Sequence, residues 1–307
     1  MLDLTFLEER QVFGNEQLDI LKKYGTKCVI TDFAILLGGY VSNYHTTDEG
    51  QQLNNRTGGW WTKSDDGDYD TLYAVSFSGS RGHYFVNSRM GGARPALPYS
   101  SIQSITSNGV RDANGIKEIE YGEYPQWVVD KDYSLELERA YYSGNIRTTG
   151  KSYTTDSVRY DQYDTPFRAR IHTEYEYNGR KYIRLESYYI DSEKVLSDGR
   201  IIEEDRTYWI KVEPIIWLVD EEADIALSKY IILSGIQFDD KEYKGDFENT
   251  FIKKFMDEYL SKEIECGVYK EKLIENKQVD IDSIFEDAIK KMNEINEVEK
   301  TKKLSLK

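Results

Sequence analysis

The segment from Gly59-Trp60-Trp61-Thr62-Lys63 to Gly91-Gly92-Ala93-Arg94-Pro95-Ala96-Leu97 constrains this chain more than any other. A paired tryptophan opens it and a Gly-Gly-Ala-Arg-Pro turn closes it. Tryptophan supplies large buried area, and glycine supplies backbone angles that a side chain would forbid. The two ends therefore read as scaffold clamps. Between them stand Ser64, Asp66, Asp68, Tyr69, Tyr73, Arg81, His83, Tyr84 and Asn87. Such residues combine rigid aromatic area with adaptable hydrogen bonding, the mixture that binding loops select. The expectation is a ligand-binding surface, not a catalytic centre. Ordinary exposed strand is the bland alternative, because the register that decides which side chains face outward is open at this level.

Composition narrows the partners. The chain has 307 residues, 25 tyrosines, 5 tryptophans and a net charge of −15. A phosphate backbone is held by clustered Lys and Arg, so the charge speaks against direct nucleic-acid binding and for a protein ligand. No apolar run reaches the roughly 18 residues of a spanning helix, so no membrane role is expected. The N-terminal Met1-Leu2-Asp3-Leu4-Thr5-Phe6-Leu7-Glu8-Glu9 has acid where a signal peptide needs base, which gives a cytoplasmic expectation. Cys28 and Cys266 lie far apart without metal spacing and read as two reduced, unrelated thiols.

Punctuation along the chain predicts its elements. Asn15 to Tyr24 reads as a helix capped by Asn15 and stopped by Gly25, and Thr31 caps a second, buried helix that ends at Gly38-Gly39. Strands are expected at Leu72–Val75 and His83–Val86, joined through Ser78-Gly79-Ser80. Residues 100–118 read as a surface connector. Further strands follow at Glu118–Tyr121 and Gln126–Val129, then a helix from Ser134 to Tyr142, then a hairpin around Asn178-Gly179. Tyr208–Ile210 and Ile215–Val219 read as central strands, and Asn249–Leu260 as an amphipathic helix. From Val279 onward Ile281, Ile284, Phe285, Ala288, Ile289, Met292 and Ile295 make a stripe of helical period. That C-terminal helix could dock on its own domain or serve self-association or a partner.

Catalytic and metal motifs are weak by comparison. Asp66-Gly67-Asp68-Tyr69-Asp70 alternates carboxylates, but an EF-hand's glycine and final glutamate positions hold Thr71 and Phe77. A solvated acidic turn is the simpler reading. His45, His83 and His172 are isolated from one another, so no zinc motif exists, and His172 with Glu174 reads as a surface contact. No nucleophile elbow, phosphate loop or dinucleotide fingerprint appears. The expectation is no catalytic residue, no metal and no cofactor. Trp127, Trp209 and Trp217 read as core, and Arg94 as a structural guanidinium binding several strand-end carbonyls.

Several of these pieces carry a resemblance. Thr31-Asp32-Phe33-Ala34, Gly38-Gly39, Trp60 to Ser64 and Gly92 to Ala96 match a pattern of uncharacterised bacterial C-type-lectin-fold domains. Ile119 to Gln126, Pro214 to Val219 and Leu227 to Lys229 match a second element of the same pattern. The chain thus resembles a branch that includes formylglycine-generating enzymes and the variable proteins of diversity-generating retroelements. The resemblance implies an α+β fold: a mixed, mostly antiparallel sheet with flanking helices. The "Tyr-Pro-Gln" half follows the "Trp-Trp" half here, whereas it precedes it in the related domains. Residues 1–265 therefore read as one circularly permuted domain, with display segment 59–98, connector 100–118, second half 119–265 and helical tail 266–307. Two tandem incomplete domains are the alternative.

The branch's enzymes work through cysteine, and neither Cys28 nor Cys266 lies in the matching segments. The leading expectation is accordingly a non-enzymatic binding module, of bacterial or phage origin, whose residues 62–90 can vary while the clamps persist. An acidic inhibitor or regulator of a nucleic-acid-processing enzyme is the second reading, and a formylglycine-generating-type enzyme the third.

Overall fold

Short helices begin the fold where caps are at hand, some of them from far along the chain. The computed structural model describes residues 2–41, 56–68, 70–106, 109–159, 162, 165–187, 194–240 and 243–265. Helix α1 (Glu9–Val12) is framed by a reciprocal Glu8–Gln11 capping box. Helix α2 (Asp19–Tyr24) starts after Asn15, not at it. Its first N–H groups, on Asp19 and Ile20, donate to Asp220 Oδ2 at 2.8 and 3.4 Å. A tertiary carboxylate thus replaces the expected local cap. Gly25, with φ of 87°, ends the helix as its position predicts. β1 (Cys28–Val29) leads into α3 (Asp32–Leu36), where Thr31 Oγ1 accepts the Ala34 N–H at 3.3 Å. That is the expected cap and buried helix.

β2 (Thr57–Gly58) pairs with β1. β3 (Trp60–Asp65), β4 (Thr71–Val75) and β5 (Arg81–Phe85) make a three-stranded antiparallel meander. β6 (Ala96–Pro98) joins the main sheet, and the connector carries a short strand, β7 (Val110–Arg111), that nothing in its polar sequence announces. Then come β8 (Lys117–Val128), α4 (Lys131–Tyr142), β9 (Arg147–Asp156), β10 (Ala169–Tyr177), β11 (Arg180–Glu186), β12 (Thr207–Asp220), β13 (Ile225–Ser228) and α5 (Phe251–Phe255). The main sheet has eight strands in the order β6-β13-β12-β11-β10-β9, with β8 on β12 and β7 on β8. Every strand pair is antiparallel among the described residues. The architecture is α+β, sheet-dominated with few and short helices.

Two expected breaks are absent. Glu118–Tyr121 and residues 126–128 belong to one strand, β8, and Tyr208–Ile210 and Ile215–Val219 to one strand, β12. Pro125 and Pro214 each remove a ladder donor, and the ladder answers with register shifts at Lys211/Val212 and Pro214/Ile216. Gln126 Nε2 donates to the carbonyls of Glu213 and Pro214, both at 2.9 Å, satisfying the backbone that the irregular pairing leaves over. The Tyr-Pro-Gln motif is therefore a bulge device. Helix α4 likewise differs at its start: Asp130 Oδ1, not Ser134, caps it by accepting the Tyr133 N–H at 3.0 Å. The Asn178-Gly179 hairpin is as predicted, both residues at positive φ (51° and 72°). Helix α5, capped by Thr250, continues through a π-turn at Met256–Leu260 and on to residue 265.

The clamps behave as scaffold. Trp60, Trp61, Trp209 and Trp217 are buried, whereas Trp127 is only half-buried, stacked edge-on against Tyr230 at 5.2 Å. Gly91 and Gly92 serve by close approach instead of by special angles. A Cβ on Gly91 would lie 2.0 Å from Trp61 Cζ2, and one on Gly92 2.4 Å from Ile231 Cγ2. Gly91→Ala is therefore expected to destabilise the protein by about 1–3 kcal/mol, read as a lowered urea midpoint. A variant with the wild-type midpoint would mean that Trp61 has room to yield.

Arg94 is structural, but not in the expected way. Its Nε donates to Ser228 O at 2.9 Å and its guanidinium lies 5.0 Å from the Trp60 ring centre, one carbonyl and one ring where several carbonyls were expected. The multi-carbonyl role falls to Arg89. That side chain donates to Asp156 Oδ2, Gln162 O and Thr165 O at 3.1, 2.7 and 2.6 Å. The His172–Glu174 surface contact is also revised: both residues are buried. His172 Nε2 bonds Thr155 Oγ1 at 2.8 Å, and Glu174 accepts from Tyr153 and Thr149. No helix among the described residues is long and apolar enough to cross a membrane. The C-terminal stripe, Tyr69, His45 and Cys266 lie outside the described residues.

Candidate recognition surface

The meander β3–β5 divides the predicted site residues by strand parity. In β4, Leu72, Ala74 and Val75 are buried while Thr71 and Tyr73 are half-buried; in β5, Arg81, His83 and Phe85 are exposed while Gly82 and Tyr84 are half-buried. Pairing sets Tyr73 beside His83 and Thr71 beside Phe85. Period-2 alternation thus gathers Tyr73, Arg81, His83 and Phe85 on one outward face. Phe85, 62% exposed, was not singled out from sequence, though it shares the parity of Arg81 and His83.

That face is held in place from below and beside. His83 Nδ1 lies 2.7 Å from Asp66 Oδ2, an oxygen that also accepts the Thr71 hydroxyl at 2.7 Å. Asp66 Oδ1 accepts the Asp68 N–H at 3.0 Å. Burial pushes the Asp66 carboxyl up, but these donors and the His83 charge outweigh it and hold the group below its ordinary value. The His83 and Tyr73 rings sit 5.1 Å apart. Arg81 lies 5.5 Å from the Tyr73 ring centre and 5.8 Å from that of Phe13, and it forms an ion pair with Glu9. Helix α1 therefore contributes to the face through Glu9 and Phe13, a tertiary juxtaposition no local pattern announces.

Three predicted residues do not belong to it. Tyr84 points inward, its ring 5.5 Å from Trp61 and edge-on, and a Cβ on Gly59 would meet its hydroxyl at 1.8 Å. Burial, with Tyr40 adding, pushes the Tyr84 phenol up to about 12. Ser64 donates to Glu8 Oε2 and accepts the Glu9 N–H, both at 2.8 Å, so it clips α1 to β3. Asn87 leaves the face and lines a separate cavity. Asp68 is an exposed turn residue beside it.

Chemically this is a stacking and hydrogen-bonding surface. The Thr71 hydroxyl donates to the carboxylate that holds His83, so the arrangement fixes the ring. The acidic turn closes on itself, with Asp65 Oδ1 accepting the Gly67 N–H at 2.8 Å. Among the described residues no three His, Cys, Asp or Glu side chains converge to hold a metal ion. Cys28 is buried; burial pushes its thiol up, and the nearby Arg94 charge opposes that only in part. No protein-family model, no curated protein and no solved structure matches the chain.

Proposed function

We propose that this protein is a non-enzymatic binding module that meets a protein partner through the outward face of β4 and β5. The observation that supports it most is the exposed Phe85 set beside Tyr73, Arg81 and His83, each already fixed by a ring, an ion pair or a carboxylate. Rigid aromatic and guanidinium groups lose little entropy on binding and make up most interface hot spots. The scaffold beneath is read as a circularly permuted C-type-lectin-like domain over residues 1–265. Its face varies among paralogues while Trp60, Trp61, Gly92, Arg94 and Pro95 persist, and its place of work is the cytoplasm. The buried Cys28 speaks against catalysis through that thiol.

The test is a partner captured with the intact chain, identified, and titrated against variants. Phe85→Ser and His83→Ala are each expected to weaken it by about tenfold or more, with folding unchanged. A partner that binds both variants with wild-type affinity would sink the proposal. The −15 charge favours a second reading, an acidic inhibitor seated in a basic groove of a nucleic-acid-processing enzyme. In that case affinity falls steeply with salt, because exposed charges are screened over about 10 Å at 0.1 M.

A further inference from the structure

A cavity of about 430 Å³ opens where Asn87, residues 165–167, Gln237, Asp240 and Phe251 converge. Its size lies within the roughly 300–1,000 Å³ range of small-ligand sites. The fold builds its walls firmly. Buried Arg89 fixes the segment before Phe167 by donating to Gln162 O and Thr165 O. The Phe238 N–H donates to Val86 O at 2.9 Å, which holds Gln237 beside Asn87. Phe167 and Phe251 face the cavity as a ring pair 5.4 Å apart.

Two primary amides line this space with unused capacity. Gln237 is 6% exposed, and neither it nor Asn87 makes a side-chain hydrogen bond to any described residue. Gln237 is a largely buried amide without a partner among the described residues and the half-buried Asn87 lines the same cavity, so a ligand that bonds both satisfies them together. The remaining polar lining is Thr165 and the acidic Asp240. Asp239 accepts the N–H groups of the lining residues Asp240 and Phe251, and its carboxyl is raised by burial and by the Asp240 charge despite those two donors. None of the lining residues is basic.

The occupant must therefore offer donors to several acceptors, carry positive charge and present a flat face to phenyl rings. An ammonium is a point charge with three donors and no face. A guanidinium has five N–H donors in a plane, no acceptor, and stacks on aromatic rings. We infer that this cavity binds a guanidinium group, as carried by an arginine side chain of a partner protein. Asn87 Oδ1, Gln237 Oε1 and the Asp240 carboxylate accept its N–H groups, while Phe167 and Phe251 take its face. The site is separate from the β4–β5 face and stands whether or not that face binds anything.

The experiment titrates the full chain with N-acetyl-L-argininamide, followed by NMR of the side-chain amide signals. The citrulline analogue, which has the same shape without the charge, and methyl glucoside serve as comparators. The arginine probe is expected to bind at about 1–10 mM, as befits a small flexible cation, and to shift the Asn87 and Gln237 amide signals. Asp240 is exposed, so Asp240→Asn leaves the fold intact; it should weaken the probe about tenfold, as should replacement by citrulline. Equal binding of citrulline or the glucoside would overturn the inference. So would unchanged affinity in D240N, or amide signals that stay put up to about 50 mM probe.

Discussion

Asp32→Ala is expected to lower stability by about 4 kcal/mol. Asp32 is fully buried at the first turn of α3, and its carboxylate takes donors from three other parts of the chain. The Val128 N–H and the Ser197 N–H each donate at 2.9 Å, the Ser197 hydroxyl donates as well, and Arg56 completes the set as an ion pair. One carboxylate thus ties α3 to the end of β8 and to the loop before β12. Among the described residues, removing it leaves Arg56, also buried, with a long contact to Ile30 O at 3.5 Å and the Trp127 ring centre 5.7 Å away. Burial already pulls the Arg56 guanidinium below its ordinary value, with Asp32 opposing that pull. The loss should therefore exceed the sum of the missing hydrogen bonds, because an uncompensated charge stays behind. At about 2–4 °C per kcal/mol for a domain of this size, the melting temperature should fall by roughly 8–16 °C. Adding Arg56→Met to Asp32→Ala should recover part of the loss. A single variant within about 1 kcal/mol of wild type would show that water replaces the carboxylate at little expense.

The same residue shows what a sequence can and cannot disclose. Thr31 as a cap is legible because the Ala34 N–H it satisfies is three positions away; Asp32 as a hub is not, because Val128 and Ser197 are brought to it only by folding. The Asn178-Gly179 hairpin was readable for the same local reason. Helix starts capped from afar were misplaced, as at Asp19, where Asp220 supplies the acceptor. β8 and β12 each read as two shorter strands because the compensating Gln126 side chain acts across the sheet. In the candidate face, residue type picked Tyr73, Arg81 and His83 but also the inward Tyr84. Parity, which only pairing with Thr71–Val75 fixes, separates them and adds Phe85. Of the cavity lining, residue type picked Asn87, though for the display segment; Phe167, Gln237 and Phe251 share no motif with it. Whether the tail packs as a helix concerns residues outside the described structure.

Glu263→Gln should stabilise the protein at pH 8 by about 2–3 kcal/mol and leave it unchanged near pH 4. Glu263 lies beyond the π-turn of the last described helix, where its Oε1 accepts the Thr154 N–H of β9 at 2.6 Å. β9 is the last strand of the sheet order, so this carboxylate covers an edge donor. Its other oxygen and the Tyr124 hydroxyl are both buried without a partner among the described residues. Burial raises the Glu263 carboxyl to about 7, although Thr154 and Lys151 pull the other way. A carboxyl raised on folding binds its proton more tightly in the native state. Its contribution is therefore whole below the unfolded value of 4.5 and is lost as pH climbs to about 7. Buried His172 acts with the opposite sign: burial first, and then the Arg170 charge, lower it to about 3, so its contribution is whole above 6.5 and is lost as pH falls. Between about pH 4.5 and 6.5 the two slopes oppose each other and flatten the wild-type profile. Glutamine keeps the acceptor for Thr154 and offers Tyr124 a donor, with no charge to desolvate. E263Q should thus expose the His172 slope, with stability rising through that interval, and the difference from wild type should grow with pH to a plateau above 7. Urea midpoints measured from pH 4 to 8 decide it. A difference that is constant across the range would mean that Glu263 titrates as an ordinary surface carboxylate.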